Sequence, residues 1–391
     1  MTITEVEDLQ YVGVFRPATE PSLGWGVIGT GWIADRFVAG TLSYTPQRIV
    51  AVGSRSAERS AAFAARHGVE HSYESYSALI GDPAVDAVYI GVTADQHRPL
   101  ALEVIAAGKP VLVEKPFALT ASEASDIRAA ARAAGVFAME AMWTRYLPQS
   151  DAIRMLLRQG ALGEVEVVAA DHGQVLADDP TSRLVNPALG GGALLDLGVY
   201  PLAFTSELLG TPASIIATGD VLASGVDGTV AMLLTYAGST AHATLSTSIR
   251  VHTPTVAAIS GTAARIEIDS PFYMPTRFVL IGPSYGTEPM LRWQDQSGIA
   301  AHEGLSYQAT ALARFVSEGR TESPIHGLDE SVAILSTIDA ARAQLTADLV
   351  RTNDRTRQFG RPDRPDQAPG LLCIHLMFTR CGWCTATGRL D

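Results

Sequence analysis

From Leu23 to about Met142, short apolar runs alternate strictly with helical patterns, and no other feature constrains the fold as much. Val27-Ile28, Ile49–Val52, Val85–Ile90, Val111–Val113 and Val136–Met139 read as strands. Between them, Ala57–Arg66, Pro99–Ala107 and Ser122–Ala134 read as helices, the last opened by Thr120 and Glu123 at capping-box spacing. Strand and helix in strict turn predict a parallel, doubly wound sheet.

After Gln149 the pattern changes. A helix over Asp151–Arg158 ends at Gly160, and Val165–Ala169 starts a strand outside the earlier rhythm. Gly228–Tyr236, Ser239–Ser246, Thr255–Ser260 and Ala264–Ile268 alternate apolar and polar residues between Gly, Pro and Asp turns, which predicts an antiparallel sheet. Helices over Tyr307–Glu318 and Glu330–Leu345 follow. Thr352–Gly370, rich in Arg, Asp, Pro, Gln and Gly, reads as a linker or disordered tail. These shifts divide the chain into an extension (1–21), a first α/β domain (22–142), a second α/β domain (143–350) and a tail (351–391).

Composition narrows the functional classes. At 47% hydrophobic and 18% charged, the 391 residues suit a soluble globular protein. A net charge of −12, with no basic run, argues against a nucleic-acid partner. No segment approaches the ~18 consecutive apolar residues of a membrane span, and the N-terminus lacks a signal-peptide pattern. The three cysteines all lie beyond residue 372, so a body without disulfides suits a reducing cytoplasm. Cys373, His375, Cys381 and Cys384 have a tighter spacing than zinc sites use, and no metal is assigned.

Gly29-Thr30-Gly31-Trp32-Ile33-Ala34 follows the first strand and opens a helix, matching G-x-G-x-x-A. Gly29 permits a tight turn, Gly31 a close approach of pyrophosphate, and Ala34 close helix packing, so the segment predicts a dinucleotide cradle. The second strand ends in Gly53-Ser54-Arg55-Ser56, without the carboxylate that binds the ribose 2′-hydroxyl of NAD. Ser54 and Arg55 suit the 2′-phosphate of NADP, with NAD the alternative. Every basic residue except Lys109 and Lys115 is arginine. Lys109 reads as an exposed turn charge, whereas Lys115, in Glu114-Lys115-Pro116, sits at a strand's carboxyl end, where open α/β sheets bind ligands. Farther on, Gly190-Gly191-Gly192 precedes a helical pattern holding Asp196 and Tyr200 four residues apart, with Pro201 expected to loosen that turn. His172, after a strand, is a candidate for facing substrate or for core hydrogen bonding.

The fingerprint, Glu114-Lys115-Pro116 and the Gly190–Tyr200 stretch together resemble the glucose-fructose oxidoreductase, inositol dehydrogenase and rhizopine-catabolism (Gfo/Idh/MocA) family over about Leu23–Leu345. Within it, Glu140–Pro148 and Tyr200 are most similar to the branch of dimeric dihydrodiol dehydrogenases and NADP-dependent D-xylose dehydrogenases. The resemblance implies an N-terminal Rossmann domain joined to a C-terminal α/β domain with a large open, mainly antiparallel sheet, which often makes a homodimer or homotetramer contact. It implies a cis Lys115-Pro116 bond, catalytic roles for Lys115, Asp196 and Tyr200, a substrate pocket lined by Trp143 and Arg145, and cofactor contacts from Glu114, Thr93 and His97. Thr93–His97 departs from the Asn-Pro-rich loop common in the family.

The expected chemistry is hydride transfer between NADP and a secondary alcohol or carbonyl of a sugar, polyol or cyclic diol. Tyr200 would exchange the proton, Lys115 would lower its pKa by stabilising phenolate, and Asp196 would orient the pair or bond substrate. The alternatives are a trans-dihydrodiol dehydrogenase within the enzymes and, outside them, a non-catalytic NADP-binding sensor on the same fold.

Overall fold

Strand β1 (Gly24–Ile28) is buried along its whole length and forms the centre of a six-stranded parallel sheet. The computed structural model describes residues 20–359 except 178, 180, 285 and 287, with side chains to 347. Its first half runs β1, α1 (Trp32–Tyr44), β2 (Arg48–Gly53), α2 (Ala57–His67), β3 (His71–Tyr73), α3 (Tyr76–Ile80), β4 (Ala87–Ile90), α4 (His97–Ala106), β5 (Val111–Glu114), α5 (Ala121–Ala134) and β6 (Ala138–Ala141). The order β3-β2-β1-β4-β5-β6 reverses between β1 and β4, which opens a crevice above their carboxyl ends. β4, β5 and β6 are buried on both faces, as covered parallel strands must be, and so read as continuous apolar runs.

Local chemistry sets the element ends. At the start of α5 the Thr120 hydroxyl accepts the Glu123 N–H, while the Glu123 carboxylate accepts from Leu119, one residue earlier than a capping box requires. At its end Gly135 turns left-handed (φ 64°) and the Val136 N–H closes on the Ala131 carbonyl. Residues 135–137 are thereby spent on the helix end, so β6 begins at Ala138 rather than at Val136.

The second half comprises α6 (Pro148–Arg158), β7 (Val165–Gly173), α7 (Val199–Leu209), β8 (Ser214–Val221), β9 (Asp227–Thr235), β10 (His242–Ser248), β11 (Ala257–Gly261), β12 (Arg265–Ile268), β13 (Arg277–Ile281), β14 (Leu291–Gln294), α8 (Ser306–Ser317) and α9 (Leu328–Phe359). Its eight-stranded sheet has the order β14-β13-β12-β11-β7-β10-β9-β8 and is antiparallel except where β10 runs parallel to β7. Alternation is clean: Val230, Met232 and Leu234 of β9 face the core, while Ala231 and Leu233 face outward. A π-helical turn, Leu194–Gly198, leads into α7 and absorbs the proline three residues later. Pro187–Leu209 has the length and apolarity to cross a bilayer, but it is largely buried within the protein core.

Two expectations change. Lys109 is not an exposed charge, because its ammonium bonds the carbonyls of Asp82 and Val85. The backbone of α9 stays helical to Phe359, through the start of the segment read as a linker. The extension before Glu20 and the Cys373–Cys384 cluster lie outside the described residues.

Candidate active site

The turn after β1 is the cradle. Gly29 has φ 113°, and a Cβ there would lie 2.3 Å from the Gly91 carbonyl oxygen, so only glycine fits. Around Gly31 a Cβ would meet nothing, and Gly31 caps α1 without a side-chain hydrogen bond, leaving first-turn N–H groups open. The buried Thr30 hydroxyl has no partner among the described residues. An open helix start with an unused donor beside it fits a pyrophosphate. Ile33 lines the adjoining cleft, while Trp32 stands largely exposed at its rim. At the end of β2, Ser54 is buried, its hydroxyl accepting the Ser56 N–H, and Arg55 is exposed.

The cleft, of about 460 Å³, lies at the carboxyl ends of β1, β4 and β5 and is closed on its other side by residues of the second half. Thr93 lies on its wall. His97 borders it but acts as a brace, with Nδ1 2.8 Å from the Pro116 carbonyl and Nε2 3.1 Å from that of Val92. Burial keeps its pKa below the usual value. The Lys115-Pro116 bond is cis. Glu114 accepts from the Tyr89 hydroxyl (2.7 Å) and the Lys115 N–H (3.2 Å). Burial pushes it up to about 7, against the pull of Tyr89 and Lys115.

Lys115, Asp196 and Tyr200 meet here from β5, the π turn and α7. The Lys115 ammonium donates to the Asp196 backbone carbonyl (2.8 Å) and lies 3.6 Å from its carboxylate. Arg183 bonds the same carboxylate at 3.0 Å. Burial would raise Asp196, but Lys115 and Arg183 outweigh it and hold the group below its ordinary value, as a carboxylate. The Tyr200 hydroxyl accepts the Trp143 indole N–H at 3.2 Å.

One electrostatic expectation is reversed. Lys115 stands over the face of the Tyr200 ring, 4.9 Å from its centre, rather than beside its oxygen. Burial drives the phenol far above its ordinary value, and Glu114, Asp196 and Glu140 push the same way against the Trp143 bond. Tyr200 is therefore held protonated.

Trp143 and Arg145, expected to line the pocket, are each 2% exposed and stand behind it. Trp143 supports Tyr200 and stacks on His302. Arg145 bonds the Ala203 carbonyl and pairs with Glu207 and Glu330. Long side chains on a turn after a strand end give no sequence clue to which side of the wall they take. His172 does reach the cleft, stacked on Tyr273 at 4.4 Å between ring centres, with burial and then Lys115 lowering its pKa to about 4. Gln174, Arg183, Tyr273 and His302 also line the cleft. They come from loops without a motif, and only the fold brings them together.

Comparison with known proteins agrees with this architecture. Residues 23–142 match the model of the oxidoreductase family with an NAD-binding Rossmann fold, and residues 151–267 that of the GFO/IDH/MocA C-terminal domain. The chain belongs to the Gfo/Idh/MocA family. Human trans-1,2-dihydrobenzene-1,2-diol dehydrogenase is 36% identical over 325 residues, covering 82% of this chain and 96% of the relative. The Xenopus laevis enzyme of the same name is also 36% identical, covering 82% and 97%. Among solved structures, aldose-aldose oxidoreductase from Caulobacter crescentus in complex with glycerol is similar with a TM-score of 0.74 and 26% identity, covering 84% of this chain and 98% of the other. KijD10, a 3-ketoreductase from Actinomadura kijaniata in complex with NADP and TDP-benzene, has a TM-score of 0.71 and 27% identity, covering 83% and 98%. This Gfo/Idh/MocA protein is thus an NAD(P)-dependent dehydrogenase.

Proposed function

We propose that the protein is an NADP-dependent oxidoreductase acting on a ring-borne secondary alcohol or carbonyl of a sugar, polyol or cyclic diol. The observation that carries this reading is the convergence of Lys115, Asp196 and Tyr200 in one cleft beside the cradle. The names of the relatives support the substrate class, which spans dihydrodiols and sugars. Ser54 and Arg55, with no acid at the end of β2, favour the 2′-phosphate form.

When bound over the Gly29–Ala34 cradle, the cofactor would supply hydride as NADPH in reduction and accept it as NADP+ in oxidation. The chain's own residues manage the proton. In reduction, the Tyr200 hydroxyl donates to the carbonyl oxygen as negative charge gathers there. Lys115, fixed by the Asp196 carbonyl, places its positive charge over the phenol ring and offsets the phenolate left behind. The Asp196 carboxylate, held ionised, accepts a hydrogen bond from a neighbouring substrate hydroxyl. In oxidation the same groups act in reverse, with Tyr200 accepting the proton that the alcohol releases.

The outer face of the eight-stranded sheet, where Ile216, Ala231, Leu233 and Ala258 form an apolar concavity, is the surface we assign to a second copy of the chain, in a dimer or tetramer.

The test is to mix the protein with NADP or NAD and a panel of pentoses, hexoses, inositols and dihydrodiols, following absorbance of the reduced cofactor. Tyr200→Phe and Lys115→Met each lower kcat at least about 100-fold, with cofactor affinity retained. Full turnover in either variant removes that residue from the mechanism; binding without turnover on the panel, and none in reverse with carbonyl compounds, favours a sensor.

A further inference from the structure

The same cleft carries a second imidazole, His302, which no motif singles out. It is carried by a 3₁₀ turn, Ala301–Leu305, between β14 and α8. The turn is built rather than loose. Ala301 adopts φ 47°, an uncommon conformation for a residue with a side chain, and the Glu303 carboxylate accepts the Ala300 N–H at 3.0 Å. The turn also packs hard on α1, since a Cβ on Gly40 would come within 3.1 Å of the Glu303 carbonyl oxygen.

The His302 ring is held by aromatic neighbours, edge-on to Trp32 at 4.7 Å and stacked on Trp143 at 5.6 Å between centres. No hydrogen bond to its nitrogens is made by the described residues, and it lines the same cleft as Lys115 and Tyr200. Burial first, then the positive charges of Arg36 and Lys115, lowers its pKa, so it is a neutral ring with one donor and one acceptor. A phenyl ring would satisfy the same stacking without exposing unused polar atoms to the cleft. His172, also uncharged, lines the same cleft and offers comparable chemistry.

We propose that His302 is a specificity-determining residue whose imidazole hydrogen-bonds a substrate hydroxyl remote from the reacting carbon, so that the site takes a hydroxyl-rich ring in preference to a diol on a hydrocarbon ring. This rests on the reading of the cleft as a dehydrogenase site for ring alcohols. A ring with only two vicinal hydroxyls engages Tyr200 and Asp196 and leaves the imidazole unpaired and desolvated. A sugar or cyclitol supplies the missing partner. Discrimination by such unmet polar groups is the stronger form of selectivity available to a pocket.

The experiment compares kcat/KM for a panel of pentopyranoses, hexopyranoses and inositols with that for trans-cyclohexane-1,2-diol, in wild type, His302→Phe and His302→Gln. Wild type favours a member of the hydroxylated panel. His302→Phe, which keeps a stacking ring, lowers that preference about five- to tenfold, chiefly through KM, and His302→Gln recovers part of it. Fluorescence titration of NADPH gives the same Kd in all three. An unchanged preference in His302→Phe, a wild-type preference for cyclohexanediol, or a loss traced to weaker NADPH binding each overturns the assignment while leaving the dehydrogenase reading in place. No wild-type turnover on any ring overturns the underlying reading itself.

Discussion

Replacing Arg145 by Met separates a residue that binds substrate from one that holds the fold. Arg145 belongs to a buried chain of charge: Glu140 lies 2.9 Å from His326, His326 lies 3.2 Å from Glu330, and Glu330 pairs with Arg145. Arg145 in turn lies 3.2 Å from Glu207, which lies 2.6 Å from Arg154, itself paired with Asp151. Burial would raise the Glu330 pKa, but His326 and then Arg145 depress it to about 2. The drop from 4.5 to about 2 corresponds to roughly 3 kcal/mol of stability, of which His326 supplies the larger share and Arg145 a smaller one. Removing one partner of a buried pair costs about 3–5 kcal/mol, because Glu207 and Glu330 are then left without the charge between them. For about 340 ordered residues the unfolding entropy is roughly 0.7 kcal/mol per degree, which puts the loss in Tm at about 4–7 °C. Because the Glu330 pKa is depressed on folding, its stabilisation is complete above pH 4.5 and disappears as pH falls toward 2; Arg145→Met flattens that acid limb. Calorimetry from pH 3 to 7 and steady-state kinetics on one preparation provide the assay. A Tm within 1 °C of wild type together with a raised KM refutes the structural role and returns Arg145 to the substrate.

His326 carries the opposite pH sign. Burial lowers its pKa, but Glu140 and Glu330 more than compensate, so its contribution is complete below pH 6.5 and is lost as pH rises through its elevated folded value. His326→Asn removes that alkaline decline from a plot of Tm against pH; an identical slope in the variant counts against the assignment. Arg55→Ala weakens NADP binding about tenfold and leaves NAD binding nearly unchanged, as measured by fluorescence titration; equal losses for both cofactors speak against a 2′-phosphate contact. Ile216→Glu on the outer sheet face halves or quarters the particle mass by light scattering, and an unaltered mass excludes that face as the subunit contact.

The first sheet was legible because its strands are buried on both faces and announce themselves as apolar runs. β3 and α3 were not, since His71–Tyr73 is a half-exposed edge strand and Tyr76–Ile80 is a single helical turn. At the site, Lys115 and Tyr200 could be paired through their motifs, but the position of the ammonium over the ring, rather than at its oxygen, depends on a contact between Lys115 and a backbone carbonyl 81 residues away. The position of Arg145 was hidden for a similar reason, because its partners Glu207 and Glu330 are distant in sequence and no local pattern connects them.

That chain of charges runs from the last strand of the nucleotide-binding sheet, through α9, to the rear of the helix that carries Tyr200. Hydrocarbon surfaces can slide past each other at little cost, whereas alternating carboxylates and guanidinium groups lose their pairing after a shift of a few ångströms. Tyr200 is thereby indexed to the dinucleotide cradle by a ratchet with a single tooth, and homologues that repack the surrounding apolar residues freely should still have to exchange these charged positions as a set.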